Sequence, residues 1–329
     1  MRFATSSAET APLEKDLASC VSLPAMPELP EVEQSRRVWD VGLGHRILKV
    51  LIPHPDVRDF RGTEVRALQD LLAGQVFSRS QVSGKQIVFR FGRAGGFWLG
   101  IHLGMSGRLT VESDAIEPGK HDHLILRQAK RSLVFSDQRQ FGRVLFHQGI
   151  EAPDWWRHLA PPILSDQFTV KAVSNFLLRR RGSPLKPVLQ MQERFPGIGN
   201  WMADEILWRA RLNPATKAGE LAPAAAANLW RTVRRVTRLA IACIQEDWDY
   251  PATWLFRHRW VDGGKCPRCR SKLSRATIGG RTTCWCPKCQ SQPQKPQPPQ
   301  GIQAGCAFDR VFRGRSEAAK PFPVQCRRR

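Results

Sequence analysis

The sequence lacks the apolar run that a membrane-spanning helix requires. No window of about 18 uninterrupted apolar residues occurs, and no basic amphipathic helix stands out. Acidic residues are also scarce, since 29 Asp and Glu face 51 Lys and Arg and leave a net charge of +22. This excess of positive charge favours a polyanionic partner, and we expect nucleic acid rather than an acidic membrane surface.

The first 25 residues lack the features of a targeting signal. They contain no apolar core of about 7–15 residues, and they carry Glu9, Glu14 and Asp16, which suit a transit peptide poorly. We therefore expect translation to start at Met26. Residues 1–25 are then an extension that is not part of the mature protein.

Five of the nine cysteines are clustered in the last quarter of the chain, and no secretory signal accompanies them, which indicates a reducing compartment. Cys266 and Cys269 form one CxxC turn, and Cys286 and Cys289 form a second after sixteen intervening residues. Two such turns facing each other make a closed tetrahedral site, which predicts one structural Zn2+ ion. Cys284 could compete as a ligand.

Short segments rich in β-branched and aromatic residues follow a helix that begins after Pro30. Glycine, serine, aspartate and proline separate these segments, as they separate the strands of an antiparallel sandwich. The predicted strands cover residues 46–52, 75–82, 86–91, 97–103, 121–127 and 132–136.

Past Pro161 and Pro162 the apolar residues take up helical spacing. The predicted helices cover residues 168–181, 185–194, 201–211 and 224–246. Residues 260–290 indicate a small hairpin held by metal. From Gln290 the chain is rich in proline and glutamine and has too little apolar content to fold alone, so we expect a disordered basic tail.

The octet at residues 26–33, Met-Pro-Glu-Leu-Pro-Glu-Val-Glu, predicts a nucleophile. If Met26 is removed, Pro27 becomes a chain terminus with a free secondary amine, which can attack an electrophilic carbon and form an iminium. An internal proline nitrogen is an amide without nucleophilicity. The chemistry therefore requires that the mature chain begin at Pro27, with Glu28 directly beside it.

Two glycines, Gly197 and Gly199, precede the predicted helix at 201–211. Glycines at a helix N-terminus let backbone N–H groups approach an anion such as phosphate. A tight turn between two helices explains the same glycines equally well. The basic run at residues 179–181, just upstream, favours the phosphate interpretation.

Several loop and strand residues have two interpretations. Met105, Arg139 and Phe141 lie on glycine-flanked loops, where the apolar side chains are either core or wedges for a base stack. Lys85, taken alone, is typical of a solvated hairpin lysine. His121 stands two residues before a second histidine, and we favour a strand with one imidazole facing DNA over a metal pair.

Together these residues resemble the formamidopyrimidine-DNA glycosylase family, the bacterial Fpg/Nei group of base excision repair enzymes. The resemblance covers about residues 26–290, and its four motifs occur in the family's order. They are PELPEVE at 27–33, Lys85 with HLGMSG at 102–107, GIGN at 197–200 followed by ADE at 203–205, and the cysteine finger. Leu29 is similar to the Fpg branch, since glycine is usual there in the Nei branch.

The resemblance implies an α+β fold. An N-terminal helix and a two-layered β-sandwich precede a helical domain with a helix–two-turn–helix, and a zinc-finger hairpin follows. We expect domains at 26–160, 161–255 and 256–290, and the disordered basic tail at 291–329. The expected partner is double-stranded damaged DNA, with no membrane, and the expected protein is a bacterial, cytoplasmic monomer associated with the nucleoid.

The resemblance also implies a bifunctional DNA glycosylase/AP lyase that flips the damaged nucleotide out of the stack. Pro27 would attack C1′ of that nucleotide, displace the base and form an iminium, while Glu28 acts as the acid/base that helps to open the sugar. Lys85 matches the lysine assigned to β-elimination. Arg281 matches the finger arginine that clamps the phosphate at the lesion and is tied to δ-elimination.

The DNA-contacting positions of the family are matched by His121, Arg139, Arg181 and Asn200. Met105, Arg139 and Phe141 match the trio that fills the hole left by the flipped base, with the arginine facing the orphaned cytosine. A guanidinium can hydrogen-bond the acceptor edge of cytosine, so the trio favours oxidised purines opposite cytosine.

The chain departs from the family in two further places. Gln140 stands where a second arginine is usual, and the stretch between Cys243 and Cys266 looks shorter than in Fpg enzymes, where it includes a loop over flipped 8-oxoguanine. We therefore expect formamidopyrimidines, hydantoins and abasic sites to be better substrates than 8-oxoguanine.

Three alternatives stay open. The short stretch favours a Nei-like glycosylase for oxidised pyrimidines, although PELPEVE and the loop trio oppose it. A non-catalytic DNA-damage-binding protein results if Pro27 is never exposed. A zinc-ribbon protein with basic tails explains only residues 260–329.

Overall fold

The computed structural model of the chain describes residues 26–246 and 249–291. The side chains of residues 245 and 246 are not described. The predicted extension at 1–25 lies outside the described residues, and so does the predicted tail at 291–329 apart from its first residue. The described residues belong to one compact unit.

Helix α1, Leu29–Val38, carries the predicted octet and continues into a 3-10 turn at Trp39–Gly42. The backbone N–H of Glu28 donates to the carboxylate of Glu31 at 3.0 Å, which satisfies one donor at the start of the helix. The indole of Trp39 is fully buried and donates to the carbonyl of Thr110 at 3.1 Å. The helix is thereby fixed to the sheets that follow.

Eight antiparallel strands form two four-stranded sheets, ordered β1-β6-β7-β5 and β2-β3-β4-β8. Their bounds are β1 Lys49–Leu51, β2 Phe77–Ser83, β3 Gln86–Phe91, β4 Phe97–His102, β5 Arg108–Glu112, β6 Asp122–Arg127, β7 Ser132–Ser136 and β8 Arg143–Gln148. One buried apolar core contains residues from both sheets, among them Phe89 and Phe135. This arrangement confirms the predicted two-layered sandwich.

Helix α2, Val65–Leu72, follows β1 and precedes β2 in the sequence. Strands β5 and β8 each lie at one edge of a sheet. The sequence pattern predicted none of these three elements. In β5 and β8 most side chains are only half-buried. The residues of β5 alternate between polar and apolar, but over five positions only, and β8 has three consecutive apolar residues in place of an alternation.

The second half of the described chain is helical, as predicted. The helices are α3 Asp154–Arg157, α4 Val170–Arg179, α5 Leu185–Val188, α6 Asn200–Ala210 and α7 Pro223–Glu246. The prediction for 185–194 was too long, because the chain leaves α5 after four residues and reaches α6 through successive turns closed by Met191 and Phe195. Within the described residues, none of the helices has the length and apolar character needed to cross a membrane.

The predicted metal-bound segment forms a hairpin of β9, Ser274–Ile278, and β10, Arg281–Trp285. Gly279 and Gly280 connect the strands with φ of +60° and +76°, the left-handed backbone that a tight two-residue turn requires.

A buried carboxylate fastens this hairpin to helix α6. Asp204 accepts hydrogen bonds from the Lys186 ammonium at 2.5 Å, from the Arg259 guanidinium at 2.7 and 3.1 Å, and from the backbone N–H of Cys284 at 3.0 Å. The two cations and the carboxylate are nearly or fully buried. Two cations therefore share a single compensating charge in an environment where an unpaired charge is costly.

We predict that Asp204→Asn lowers the free energy of unfolding by about 3–5 kcal/mol, because it leaves two buried cations without an anion. Asp262→Asn is the matched control, since its carboxylate is 88% exposed and pairs with Arg275 at the surface of the hairpin. Urea unfolding followed by circular dichroism measures both variants. Equal stability of the two variants would contradict the role given to Asp204.

Candidate active site

The carboxylate of Glu28 sits on the N-terminus of helix α6. It accepts backbone N–H bonds from Gly199 at 2.8 Å, from Trp201 at 2.8 Å and from Met202 at 3.0 Å, and Glu28 is 2% exposed. Unpaired N–H groups and the helix dipole make this position favourable for an anion. The helix N-terminus that the glycine pattern predicted as a phosphate-binding site is thus occupied by the carboxylate of Glu28.

The two glycines of this turn make room for the segment around Glu28. A Cβ on Gly199 would lie 2.4 Å from Cδ of Glu28, and one on Gly197 would lie 2.5 Å from Cβ of Leu29. Gly197 also has a φ of +87°, and its carbonyl accepts the N–H of Leu29 at 3.0 Å. The GIGN motif and the PELPEVE motif therefore pack directly against each other.

Burial sets the proton affinities of the charged groups nearby. It raises the pKa of Glu28, against the opposing effects of Lys85 and the three backbone donors. Burial lowers the pKa of Lys85, and the Arg281 charge adds to this effect while Glu28 and Glu31 oppose it. Glu31 is raised to a pKa of about 7 by burial and by the charge of Glu28, and it accepts the hydroxyl of Tyr250 at 3.0 Å.

These groups border a cleft of about 460 Å³. Its lining includes five predicted site residues, which are Glu28, Lys85, Met105, Asn200 and Arg281. Met26 also lines the cleft, with its sulfur 3.6 Å from the Lys85 ammonium, so the peptide that contains Pro27 lies between two lining residues.

The lining residues that were not predicted as site residues include His102, Gln190, Gln192 and Trp260. His102 is the first residue of the HLGMSG motif, so a signal for it was present. Nothing in the sequence around Trp260 distinguishes it from core tryptophans. Burial and the charge of Lys85 lower the pKa of His102, which favours the neutral imidazole.

The three predicted wedge residues lie on two adjacent loops. Met105 and Phe141 are 38% and 48% exposed, and the Arg139 guanidinium stacks 4.9 Å from the centroid of the Phe141 ring. Buried Asp137 accepts the Ser106 hydroxyl and the backbone N–H groups of Arg139 and Gly142. The Asp137 carboxylate thus connects the loop of Ser106 with the loop of Arg139 and Gly142. The three predicted wedge side chains remain exposed on the surface of these loops.

The remaining predicted DNA contacts lie in different places. His121 borders a separate cavity of about 280 Å³ on the outer face of the β5-containing sheet, and Arg181 is exposed just beyond α4. His123 is buried on the other face and pairs through Nδ1 with Asp59, so the two histidines do not form a metal pair.

Asn200 connects helix α6 to the hairpin that carries Arg281. Its side-chain amide donates a hydrogen bond to the backbone carbonyl of Thr282 at 3.0 Å. The backbone carbonyl of Asn200 accepts one from the Lys186 ammonium at 2.6 Å. The residue next to Arg281 is thereby fixed to the same helix end that holds Glu28.

The four predicted zinc ligands come together. The Sγ atoms of Cys266, Cys269, Cys286 and Cys289 lie within 4.8 Å of one another, with pairs at 3.5 and 4.0 Å. Zinc–sulfur bonds of about 2.3 Å in a tetrahedron place sulfurs roughly 3.8 Å apart, so the cluster fits one structural Zn2+. Cys284 is buried outside the cluster, with its N–H on Asp204, and is not among the ligands.

We predict that Gly199→Ala lowers the free energy of unfolding by about 1–3 kcal/mol, because its methyl group would overlap the Glu28 carboxyl. Strain is not the cause, since the φ of Gly199 is −119°. Gly182→Ala is the control, because an added Cβ there meets nothing within 4 Å. Urea unfolding should separate the two variants, and indistinguishable midpoints would contradict the close contact.

Three family models match the chain in order. They are the formamidopyrimidine-DNA glycosylase N-terminal domain at residues 26–144, the formamidopyrimidine-DNA glycosylase H2TH domain at 159–248, and the zinc finger found in FPG and IleRS at 263–292.

Curated relatives named formamidopyrimidine-DNA glycosylase match nearly end to end. The protein of Pelotomaculum thermopropionicum is 32% identical over 280 residues, which are 80% of this chain and 99% of the relative. The protein of Chloroflexus aurantiacus is 34% identical over 294 residues, which are 83% of this chain and 100% of the relative.

Solved structures of the Lactococcus lactis enzyme share the fold. One is bound non-covalently to DNA containing an AP site, and another is in complex with DNA containing Fapy-dG. Each superposes with a TM-score of 0.70 at 26% identity and covers 80% of this chain and 100% of the solved chain. The chain therefore belongs to the formamidopyrimidine-DNA glycosylase family.

Proposed function

We propose that this DNA glycosylase and AP lyase of base excision repair uses the amine of Pro27 to remove oxidised purines, formamidopyrimidines above all. The observation that carries the proposal is the convergence of Glu28, Lys85 and Arg281 on one cleft next to Pro27. An amine nucleophile, a buried acid and two cations are the groups that an iminium mechanism on a phosphodiester substrate needs.

The first step requires Pro27 at the chain terminus. The family match begins at residue 26, which supports a mature chain that starts at Pro27 after removal of Met26. The free amine then attacks C1′ of the flipped nucleotide, the C1′–N bond breaks, and the base leaves with a proton. Glu28 is suited to give or take a proton here, because burial raises the pKa of its carboxyl and favours the protonated form.

The later steps break the strand. The cationic iminium acidifies C2′, a proton is lost there, and the bond to the 3′ phosphate breaks by β-elimination; loss of the 5′ phosphate follows by δ-elimination. Lys85 is suited to proton transfer, since burial lowers the pKa of its ammonium. We assign Arg281 to the phosphate at the lesion, because a guanidinium donates to phosphate in bidentate geometry.

The surfaces around the cleft suit bent duplex DNA. Met105, Arg139 and Phe141 would fill the space left by the flipped nucleotide, with the guanidinium facing cytosine. The remaining proposed contacts to DNA are His121, Arg181 and Asn200. The excess of positive charge adds affinity that does not depend on sequence and falls with salt.

The zinc finger supports this chemistry indirectly. A zinc ion held by the four cysteines has no open position, so it supplies structural rigidity alone. The chain's own contacts then aim Arg281, through Asn200 and Asp204. We further propose domain limits at 26–160, 161–255 and 256–290, and a place at the nucleoid of a bacterial cytoplasm.

We predict that Arg281→Ala keeps the fold and the zinc but cleaves an abasic duplex roughly tenfold to a hundredfold more slowly and binds it less tightly, because the charged hydrogen bonds to phosphate are lost. Lys272→Ala is the control, an exposed cation two residues before the hairpin. Single-turnover cleavage measured on a gel tests both. Wild-type cleavage by the Arg281 variant would exclude the assigned role.

A further inference from the structure

Aromatic side chains line part of the cleft, and the proposed reaction gives them no role. Among the described residues that line it, two are tryptophans. Trp201 is 2% exposed and belongs to the core, whereas Trp260 is only partly buried. The Trp260 indole therefore offers ring surface to the same space that Glu28, Lys85 and Arg281 border.

The Trp260 ring is held in place by its neighbours. The guanidinium of Arg259 lies over the indole at 4.6 Å from its centroid, and the ring of Phe256 meets it edge-on at 5.3 Å. Arg259 is itself fixed, since both of its hydrogen bonds go to buried Asp204. A ring fixed in advance loses little conformational entropy when it binds a ligand.

The indole N–H of Trp260 is available to a ligand. Within the described residues it donates to no protein acceptor. The same holds for Trp155, Trp156, Trp201, Trp254 and Trp285, so this property sets Trp260 apart only because its partly exposed ring also lines the cleft. A partly exposed indole with a fixed ring and an unused donor suits a planar, polar ligand with a π-face and a carbonyl group. A nucleobase has both features.

We propose that Trp260 is the stacking platform for the damaged base when that base occupies the cleft. The inference rests on the proposed function, because it requires a flipped nucleotide next to Pro27. Stacking on an indole depends little on base identity, so Trp260 would stabilise the bound base, while the hydrogen-bonding groups around it select the lesion. An abasic sugar has nothing to stack, so the platform acts on base removal and not on strand cleavage.

The test compares two substrates in single-turnover reactions. One duplex carries a formamidopyrimidine of guanine opposite cytosine, and the other carries a pre-formed abasic site. Trp260→Leu removes the π-face but keeps apolar volume, and Trp260→Phe keeps a π-face. Trp156→Leu is the matched control, a half-buried tryptophan outside the cleft lining.

We expect Trp260→Leu to slow base excision by about tenfold to a hundredfold, to affect abasic cleavage far less, and to be largely rescued in Trp260→Phe. Trp156→Leu should behave like the wild type on both duplexes. An equal loss on both duplexes would overturn the platform and make Trp260 a structural residue. Unchanged base excision in Trp260→Leu would also overturn the stacking role of Trp260. A wild-type protein that is inactive on both duplexes would instead contradict the proposed function, on which the stacking role rests.

Discussion

The structure depends on one contact, the buried carboxylate of Glu28 on the N-terminus of helix α6. Three backbone N–H groups at the start of α6 donate hydrogen bonds to this carboxylate, and Glu28 belongs to the segment that precedes the sandwich. The helical half and the sandwich half are therefore connected at the cleft. The contact also fixes the residue next to Pro27. As the proposed nucleophile, Pro27 must attack one carbon atom and needs such a constraint, because small displacements from the reactive geometry lower the rate steeply.

A second buried carboxylate, Asp204, stands one turn further along the same helix and fixes the opposite wall. It connects Lys186, Arg259 and the hairpin backbone at Cys284, while Asn200 holds the carbonyl of Thr282. The first turns of α6 thus position the Glu28 segment on one side and Arg281 on the other. Zinc bound by the cysteine cluster would stabilise the hairpin, and the contacts to α6 hold the backbone of the strand that carries Arg281.

Much of this could be predicted from local sequence, and the rest depends on contacts between distant segments. Strands β3 and β7 and helices α6 and α7 were predicted to within a residue or two, and the zinc cysteines from their spacing. Strand β5 was missed because its alternation covers five residues only, and β8 because its apolar residues are consecutive. The occupant of the glycine turn could not be foreseen, since Glu28 lies 171 residues before Gly199. Neither the burial of Asp204 nor the partial exposure of Trp260 could be foreseen.

Borohydride trapping tests the central claim most directly. Protein expressed from Met26 is mixed with a duplex that carries one abasic site, borohydride reduces any iminium to a stable amine, and peptide mapping locates the crosslink. We expect one adduct at Pro27, formed only when Met26 has been removed, and none in a protein that retains a residue before Pro27. An adduct at Lys85, or tight binding to the same duplex without any adduct, would contradict this expectation.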